Sequence, residues 1–314
     1  KFSDGFPAIT TKKLHYKNVV TELIWFLNGD TNIKYLVDNG CKIWNKDAYK
    51  YYVSTFNDHY KHALIKLFDI STFILKIKEG KLNCQDLGEY RLGDLGPVYG
   101  HQWRDFNGVD QIANLIKGLK EKPLGTEHIV NSWNASDLAD MALPPCHYGF
   151  QIVVRPLNLY ERIDISGYDN DEKPSHFDLD EEEIIKYGFE LHWTQRSVDT
   201  FLGLPYNIAS YATLALIIEG LTGYKALGIQ GDLKKVHLYD NSLDAVKEQL
   251  SRDVNKYDKC QLLFKDTFHY ITDKDLMSEV SLDKIISEIE PSWFELRNYE
   301  SYPAINVEML ERSN

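Results

Sequence analysis

The sequence predicts an α+β fold. Segments typical of strands alternate with segments typical of helices, but without the regular spacing of βαβ units. The chain has 314 residues, 43% of them hydrophobic, which is enough to bury a sizeable core. Aromatic residues make up 13% of the chain, a fraction that argues against extensive disorder.

Four segments have the apolar content or spacing of helices, namely residues 16–28, 110–121, 207–223 and 240–252. Gly29 is expected to end the first helix, and Asp240 or Asn241 to cap the last, exposed one. Glu22 lies inside the apolar first segment. Because an unpaired buried charge is costly, this carboxylate is expected to be either paired or functional.

Three segments are predicted as strands, namely residues 128–133, 147–155 and 190–196. Residues 50–90 are predicted as an added module containing a helix or helical pair, and residues 88–100 as a glycine-rich loop. Acidic side chains crowd residues 167–187, which predicts a solvated insertion.

Composition excludes several classes of function. The formal net charge of -12 argues against a general nucleic-acid binder, which needs a basic face. No apolar run reaches the roughly 20 residues of a membrane span, and the first residues lack the apolar stretch of a signal peptide. The cysteines at 41, 84, 146 and 260 form no C-x-x-C pair, so we expect reduced thiols in the cytoplasm and no metal site.

Cys146 is the strongest candidate for chemistry. Pro144 and Pro145 restrict the backbone before it, and His147 follows directly. A reactive thiolate needs a nearby cation, and Arg196 is a candidate on a predicted neighbouring strand. The motifs of serine hydrolases, P-loop enzymes, zinc proteases and dinucleotide-binding proteins are absent from the sequence. A cysteine protease that uses distant His and Asn residues stays open as a weak alternative.

Ordered blocks along nearly the whole chain resemble the thymidylate synthase family. They lie at residues 4–7, 10–12, 22–27, 29–32, 43–44, 93–100, 102–104, 131–134, 143–147, 195–211 and 237–239. The resemblance implies a mixed twisted β-sheet flanked by helices, with the sheet packing at the interface of a homodimer. It also implies one catalytic domain over residues 1–314, with insertions at about 50–90 and 157–188.

The same resemblance implies a chemical reaction. It is the reductive methylation of dUMP to dTMP, with 5,10-methylenetetrahydrofolate as donor of the one-carbon unit and of a hydride. The thiolate of Cys146 would add to C6 of uracil and make C5 nucleophilic. No metal, membrane or obligatory nucleic-acid partner is implied.

Each implied role falls on a residue that matches the family pattern. The catalytic set comprises Cys146, Glu22, Arg196, Asp199, Tyr99 and His147. The dUMP-binding set comprises Gln195, Arg196, Ser197, Asn207, His237 and Tyr239. The folate-binding set comprises Trp44, Asp199, Leu202 and Gly203. Within these sets, Asn207 is the expected reader of the uracil edge and, from its position, also a candidate N-cap of its helix.

Four departures from the family pattern concern the nucleotide phosphate and the closing of the pocket. Thr126 and Glu127 stand where the family has two consecutive arginines, which reach the partner's nucleotide phosphate. Another phosphate-binding arginine of the family belongs upstream of Lys1. Residues 231–237 are about two residues longer than usual and add Lys234 and Lys235. The end of the chain, residues 306–314, is longer and more polar than the family's apolar tail.

These departures keep two alternatives open. One is a dUMP hydroxymethylase on the same fold, in which water rather than hydride completes the reaction. Trp44, which shields the one-carbon unit from water, argues against it. The other is a catalytically weakened paralogue with a binding or regulatory role, an alternative motivated by Thr126 and Glu127.

Overall fold

The structure is a computed structural model that describes residues 1–60, 67–83, 90–168, 174–269 and 282–308. Its helices are α1 Tyr16–Leu27, α2 Lys34–Asp38, α3 Asn45–Tyr60, α4 Ile70–Lys78, α5 Tyr99–Arg104, α6 Gln111–Glu121, α7 Leu159–Ser166, α8 His176–Glu181, α9 Leu204–Thr222, α10 Leu243–Leu250 and α11 Leu282–Glu288. Its strands are β1 Ile129–Asn131, β2 His147–Pro156, β3 Tyr187–Gln195, β4 Val198–Asp199, β5 Lys225–Leu233, β6 Val236–His237, β7 Gln261–Phe264 and β8 Phe294–Arg297. The predicted α+β class is confirmed.

A mixed sheet in the order β1-β2-β3-β5 organises the molecule. Strand β2 pairs antiparallel with β1 and β3, whereas β5 pairs parallel with β3. The long helix α9 lies in the crossover between β3 and β5, as a parallel connection requires. At one end of the β2–β3 pair, His147 lies opposite Gln195, so the two motifs singled out in the sequence become neighbours.

Helices α1 and α9 fill the core because almost every face of each is apolar. Buried side chains of α1 include Trp25, Phe26 and Leu27, and α9 packs against both α1 and β5. Burial of this apolar surface is the main stabilising contribution to such a core. Glu22 is the acidic exception on α1, and it is only partly buried.

The predicted helices are confirmed, but two N-cap assignments are wrong. Gly203 is the N-cap of α9, and Asn207 lies inside its first turns, where its side chain bonds Gln195 instead of the helix backbone. Asp240 and Asn241 form a short 3-10 turn, so that Ser242 is the N-cap of α10. In both places tertiary contacts outweigh the local capping preference of an Asn or Asp.

Of the helical pair predicted within residues 50–90, the first helix starts earlier than expected, since α3 begins at Asn45, and α4 covers Ile70–Lys78. Residues 61–66 and 84–89, including Cys84, lie outside the described residues. Strands β4 to β8 were not predicted. The glycines at 228 and 231 interrupt the apolar pattern of β5, which hid it from sequence reasoning.

A buried arginine holds together residues 157–188, the segment that we expect to be an insertion. Arg162 is 3% exposed, and its guanidinium donates to the backbone carbonyls of Ile184 and Ile185 at 2.8 and 3.1 Å. It also pairs with Asp180 at 2.7 Å. The described acidic side chains of the insertion, at 178 and 180–183, are exposed as predicted, whereas residues 169–173 lie outside the described residues.

None of the helices in the described ranges combines the length and the apolar composition needed to cross a membrane.

Gly96 lies against the backbone of Asp140, and its replacement is expected to destabilise the fold. Its φ is +71°, and an added Cβ would lie 1.9 Å from the carbonyl oxygen of Asp140. We expect Gly96→Ala to lower the free energy of unfolding by on the order of 3 kcal/mol, since steric overlap adds to backbone strain. Urea unfolding measures the change.

The matched control is Gly40→Ala. Gly40 has a φ of +76°, but an added Cβ would meet no atom within 4 Å. Gly40→Ala therefore measures the cost of the positive φ alone, which we expect to lower the free energy of unfolding by about 1 kcal/mol. Equal losses in the two variants would contradict the steric explanation.

Candidate active site

A cavity of about 550 Å³ opens at the end of β2 and β3. Its walls include most of the residues singled out by sequence, namely Glu22, Trp44, Tyr99, Cys146, His147, Gln195, Ser197, Asp199, Leu202, Gly203, Asn207 and Tyr239. They come from α1, the start of α3, α5, β2, β3, α9 and the loops between them. Arg196 and His237 are not among the described residues that line this cavity.

Cys146 lies directly before β2 and is 8% exposed. Its backbone N–H donates to the hydroxyl oxygen of Tyr99 at 2.7 Å. Its carbonyl oxygen accepts from the backbone N–H of Arg196 at 2.8 Å. The backbone of the nucleophile candidate is therefore held through both its N–H and its carbonyl group, and Cys146 lines the cavity.

Arg196 contacts the backbone that precedes Cys146. Its Nε donates to the carbonyl of Pro145 at 2.8 Å, and its Nη2 donates to that of Pro144 at 2.9 Å. The guanidinium lies 5.6 Å from the ring centroid of Trp133, and both residues line a second cavity of about 750 Å³ on the sheet. Arg196 thus holds the Pro-Pro-Cys segment in place by hydrogen bonds from the side of the sheet.

Glu22 and Trp44 form a polar pair in the cavity wall. The indole Nε1–H of Trp44 donates to Oε1 of Glu22 at 2.7 Å. Burial raises the pKa of Glu22 to about 7, and the hydrogen bond from Trp44 opposes this shift only in part. A carboxyl group with a pKa near neutrality can both accept and return a proton, which suits general acid–base chemistry.

His147 belongs to a neutral aromatic wall. Its ring stacks on Tyr99 with centroids 4.4 Å apart, and its Nδ1 lies 2.9 Å from the hydroxyl of Tyr211. Burial lowers the pKa of His147 to about 3 and raises that of the Tyr211 hydroxyl above its ordinary value. The wall therefore carries hydrogen-bonding groups without a charge at neutral pH.

Gln195 orients the amide of Asn207. Its Nε2 donates to Oδ1 of Asn207 at 3.0 Å and to the carbonyl of Ser197 at 3.2 Å. The indole N–H of Trp193 donates to Oε1 of Gln195 at 3.3 Å, which fixes the orientation of Gln195 itself. Asn207 consequently presents one defined arrangement of donor and acceptor to the cavity.

Asp199 folds the loop that joins β4 to α9. Its Oδ1 accepts from the backbone N–H groups of Phe201 and Leu202 at 2.9 and 3.3 Å. In the β4–β6 pair Asp199 lies opposite His237, whose ring meets Tyr239 edge-on at 5.2 Å. His237 thus lies beside the cavity wall, next to Tyr239.

Sequence reasoning missed the side chains of α3 and Lys12. The cavity is also lined by Ile43, two residues before α3, and by the α3 residues Lys46, Asp47, Lys50, Tyr51 and Ser54. Lys12 is 5% exposed and donates to the carbonyl of Phe201. Lysines in a Lys-rich sequence carry no local signal of position, since only the fold decides which of them becomes buried.

In the loop at Thr126 and Glu127, where an arginine pair was expected, the backbone forms a hydrogen bond with the acidic side chain. The carboxylate of Glu127 accepts from the backbone N–H of Thr126 at 2.9 Å, and such backbone donors lower its pKa. Gln151 donates to the carbonyl of Thr126 at 2.9 Å. Lys234 pairs with Asp232, which lines the second cavity together with Arg196.

The C-terminal segment reaches the mouth of the cavity. Nδ2 of Asn241 donates to the carbonyl of Glu308 at 2.8 Å, and the Glu308 carboxylate lies 3.6 Å from the ammonium of Lys46. Residues 309–314 lie outside the described residues. Within the part of the chain that is described, no group of three or more His, Cys, Asp or Glu side chains is arranged to hold a metal ion.

Known proteins resemble the chain over nearly its whole length. A family model described as thymidylate synthase matches residues 1–311. A thymidylate synthase of Malacoplasma penetrans is 42% identical over 249 residues, which are 79% of this chain and 72% of that protein. One of Mycoplasma mobile is 37% identical over 309 residues, which are 98% and 86% of the two chains.

A solved structure also matches. The crystal structure of thymidylate synthase from T4 phage has a TM-score of 0.65 and 34% sequence identity to this chain. The match covers 98% of this chain and 86% of that one.

The raised pKa of Glu22 predicts a pH-dependent stability. Because the folded protein binds this proton more tightly than the unfolded chain, Glu22 stabilises the fold below its ordinary pKa of 4.5, and this contribution is lost as pH rises to about 7. We expect Glu22→Gln, relative to the unchanged protein, to gain about 2 kcal/mol of unfolding free energy between pH 5 and pH 8.

Urea unfolding at the two pH values measures this difference. Glu288→Gln, at an exposed position of α11, is the matched control for the same chemical change. A Glu22→Gln difference that is the same at both pH values would show that the carboxyl group titrates normally.

Proposed function

The chain belongs to the thymidylate synthase family, and on this premise we propose that its Cys146 cavity converts dUMP to dTMP with 5,10-methylenetetrahydrofolate as co-substrate. One observation carries the proposal. A buried thiol, a carboxyl group with a pKa near 7 and an oriented carboxamide line the same cavity, contributed by Cys146, Glu22 and Asn207.

The thiol begins the proposed reaction. The Cys146 thiolate forms a bond to C6 of uracil, and the electrons of the C5–C6 double bond move onto C5 and the C4 carbonyl oxygen. C5 then becomes a nucleophile. The co-substrate would supply the one-carbon unit and a hydride, and it would leave as dihydrofolate. The C5 proton is lost to a base, and breaking of the S–C6 bond at the end returns the thiolate.

Glu22 suits the proton transfers in this scheme because its pKa lies near the working pH. The neutral His147 and the hydroxyl of Tyr99 line the same cavity and would hold water beside the reacting ring. Trp44 donates to Glu22 and forms part of the wall. The indole ring of Trp44 at this place would keep water away from the last step, which argues against the hydroxymethylase alternative.

Asn207 supports uracil as the base. Its Nδ2 would donate to O4 and its Oδ1 would accept from N3–H, a pattern that cytosine reverses. Gln195 holds the amide in one orientation, so the discrimination does not depend on a freely rotating group. A site with oriented polar groups rejects an analogue that leaves them unpaired.

The remaining roles belong to the same proposal. Ser197 would bind the nucleotide phosphate, and Arg196 would do so once its guanidinium leaves the carbonyls of Pro144 and Pro145, which it contacts beside the second cavity. His237 with Tyr239 would hold the 3′-hydroxyl of deoxyribose. Trp44, Asp199, Leu202 and Gly203 would contact the folate.

We also propose a homodimer in the cytoplasm, where thiols stay reduced. The open face of the sheet would form the interface. Ile129, Trp133 and Val153, which are 54, 36 and 42% exposed, would be covered there by a second copy.

Trapping and product analysis test the function. Incubation with 5-fluoro-dUMP and the co-substrate is expected to add the mass of both to the peptide that contains Cys146, because fluorine at C5 blocks the loss needed for release. With dUMP, mass spectrometry of the product is expected to find a methyl group.

Cys146→Ala and Cys41→Ala form a matched pair for this test, since Cys41 is also a buried free thiol. Only Cys146→Ala should abolish the adduct. A hydroxymethyl product would instead support the alternative enzyme, and no adduct with either thiol present would reject the covalent mechanism.

The loop at 126–127 offers a test of the phosphate site. We expect the double variant Thr126→Arg with Glu127→Arg to bind dUMP about tenfold more tightly, because it replaces a carboxylate by charge-assisted donors across the dimer. Isothermal titration calorimetry with dUMP measures the affinity. Unchanged binding would place the phosphate elsewhere.

Ser287→Arg with Glu288→Arg is the matched control, since it makes the same change of charge on exposed α11. Tighter binding in both double variants would show a general effect of net charge. If neither the unchanged protein nor the 126–127 variant binds dUMP at micromolar concentrations, the weakened paralogue becomes the better description.

A further inference from the structure

We propose that the ammonium group of Lys235 binds the nucleotide phosphate within its own chain. Lys235 lies in the turn between β5 and β6, beside Ser197, the residue that would also contact this phosphate. The inference rests on the proposed function for the identity of the nucleotide. The position of the turn beside the Cys146 cavity stands on the structure alone.

The turn is fastened to the segment that carries Ser197. The backbone N–H of Val198 donates to the carbonyl of Lys235 at 3.4 Å, and the N–H of Lys234 donates to the carbonyl of Gln195 at 2.8 Å. Gln195, Ser197 and Val198 all line the cavity. The backbone of Lys235 therefore lies beside the cavity wall, and its long, flexible side chain can reach a group bound there.

Lys235 is also next to the residues proposed for the deoxyribose. The Nδ1 atom of His237 lies 2.9 Å from the carbonyl oxygen of Lys235, and the ring of His237 meets that of Tyr239 edge-on. A nucleotide carries its phosphate and its 3′-hydroxyl on the same sugar. A cation between Ser197 and His237 is therefore expected to lie near the phosphate.

The lysines that line the cavity come from a different element. Among the described lining residues they are Lys46 and Lys50 of α3, and Lys46 pairs with Glu308 at 3.6 Å. The guanidinium of Arg196 donates to two backbone carbonyls beside the second cavity. Lys235 would thus supply the charge-assisted contact that Arg196 can make only after it leaves those carbonyls.

Lys235 is the free cation of the turn. Lys234 pairs with Asp232, and this contact raises the pKa of Lys234. Lys235 is exposed, and within the described part of the chain no hydrogen-bonding or ion-pair partner lies within reach of its ammonium. Its φ is +38°, a conformation that glycine adopts at lower cost, so the geometry of the turn does not explain a lysine at this position.

The charge of this turn complements the loop at Thr126 and Glu127. That loop lies where the family resemblance implied two arginines for the phosphate, and the carboxylate of Glu127 accepts from the backbone N–H of Thr126 at 2.9 Å. Lys235 belongs to the segment 231–237, which is longer than the family pattern. The chain therefore lacks two expected cations and has gained a free one beside Ser197.

The experiment compares Lys235→Gln with Lys234→Gln in the full chain. The two variants lose the same charge at neighbouring exposed positions, but Lys234 is paired with Asp232. Isothermal titration calorimetry measures binding of dUMP and of deoxyuridine, which lacks the phosphate. We expect Lys235→Gln to weaken dUMP binding about tenfold and to leave deoxyuridine binding unchanged. Lys234→Gln should change both affinities far less, and Lys235→Arg, which keeps a cation, should retain most of the affinity for dUMP.

Lys235→Gly separates binding from stability. Because glycine tolerates the positive φ at this position, we expect this variant to unfold in urea at about the same concentration as the unchanged protein. Its affinity for dUMP should nevertheless fall as far as that of Lys235→Gln. An affinity that falls only in variants that also lose stability would contradict the proposal.

Inorganic phosphate tests the subsite without the nucleotide. Line broadening in phosphorus NMR measures its binding, which should be about tenfold weaker in Lys235→Gln than in the unchanged protein. Equal dUMP affinity in these two proteins overturns the proposal, and so does an equal loss with deoxyuridine.

An unchanged protein that binds phosphate but not dUMP refutes the proposed function instead, while the difference between the variants in phosphate binding still decides the role of Lys235. Binding of neither ligand by the unchanged protein rejects both proposals.

Discussion

The pairing of β2 with β3 is the constraint on which the site depends. It places His147 opposite Gln195, so that the peptide after Cys146 and the peptide before Arg196 lie in adjacent strands. Slipping the register by one residue would turn each side chain of a strand to the other face of the sheet. The buried apolar face of the sheet resists such a slip, and core packing thereby fixes the nucleophile beside its neighbours.

Burial then sets the charge of the groups that the sheet brings together. Removal from water favours the neutral form of a carboxyl group and of an imidazole, which is why Glu22 can exchange a proton near neutral pH and His147 stays uncharged. Lys12, in contrast to Glu22 and His147, keeps its charge although it is buried. Its charge remains because a carbonyl, an aromatic ring and a carboxylate surround it. Buried groups in and beside the cavity thus differ in charge because their contacts differ.

The cavity is also the place where segments distant in sequence meet. Helix α3, at the start of a module that the sequence marks only as an addition, supplies side chains to the mouth, and the end of the described chain reaches the same helix through Glu308 and Lys46. The loop at Thr126 and Glu127 lies where the family resemblance implied two consecutive arginines. The carboxylate of Glu127 accepts a hydrogen bond from the backbone N–H of Thr126 in the same loop, and this bond favours the negatively charged form.

Sequence alone determined the fold class, the main helices and the candidate set around Cys146, because apolar periodicity and ordered motifs are local properties that a chain displays without folding. It did not determine that Gly203 rather than Asn207 caps α9, that β5 joins the sheet, or that Lys12 is the buried lysine of a neighbouring pair. Tertiary structure decided these points. Each depends on which distant group lies within hydrogen-bonding or packing distance, and only the folded chain brings such groups together.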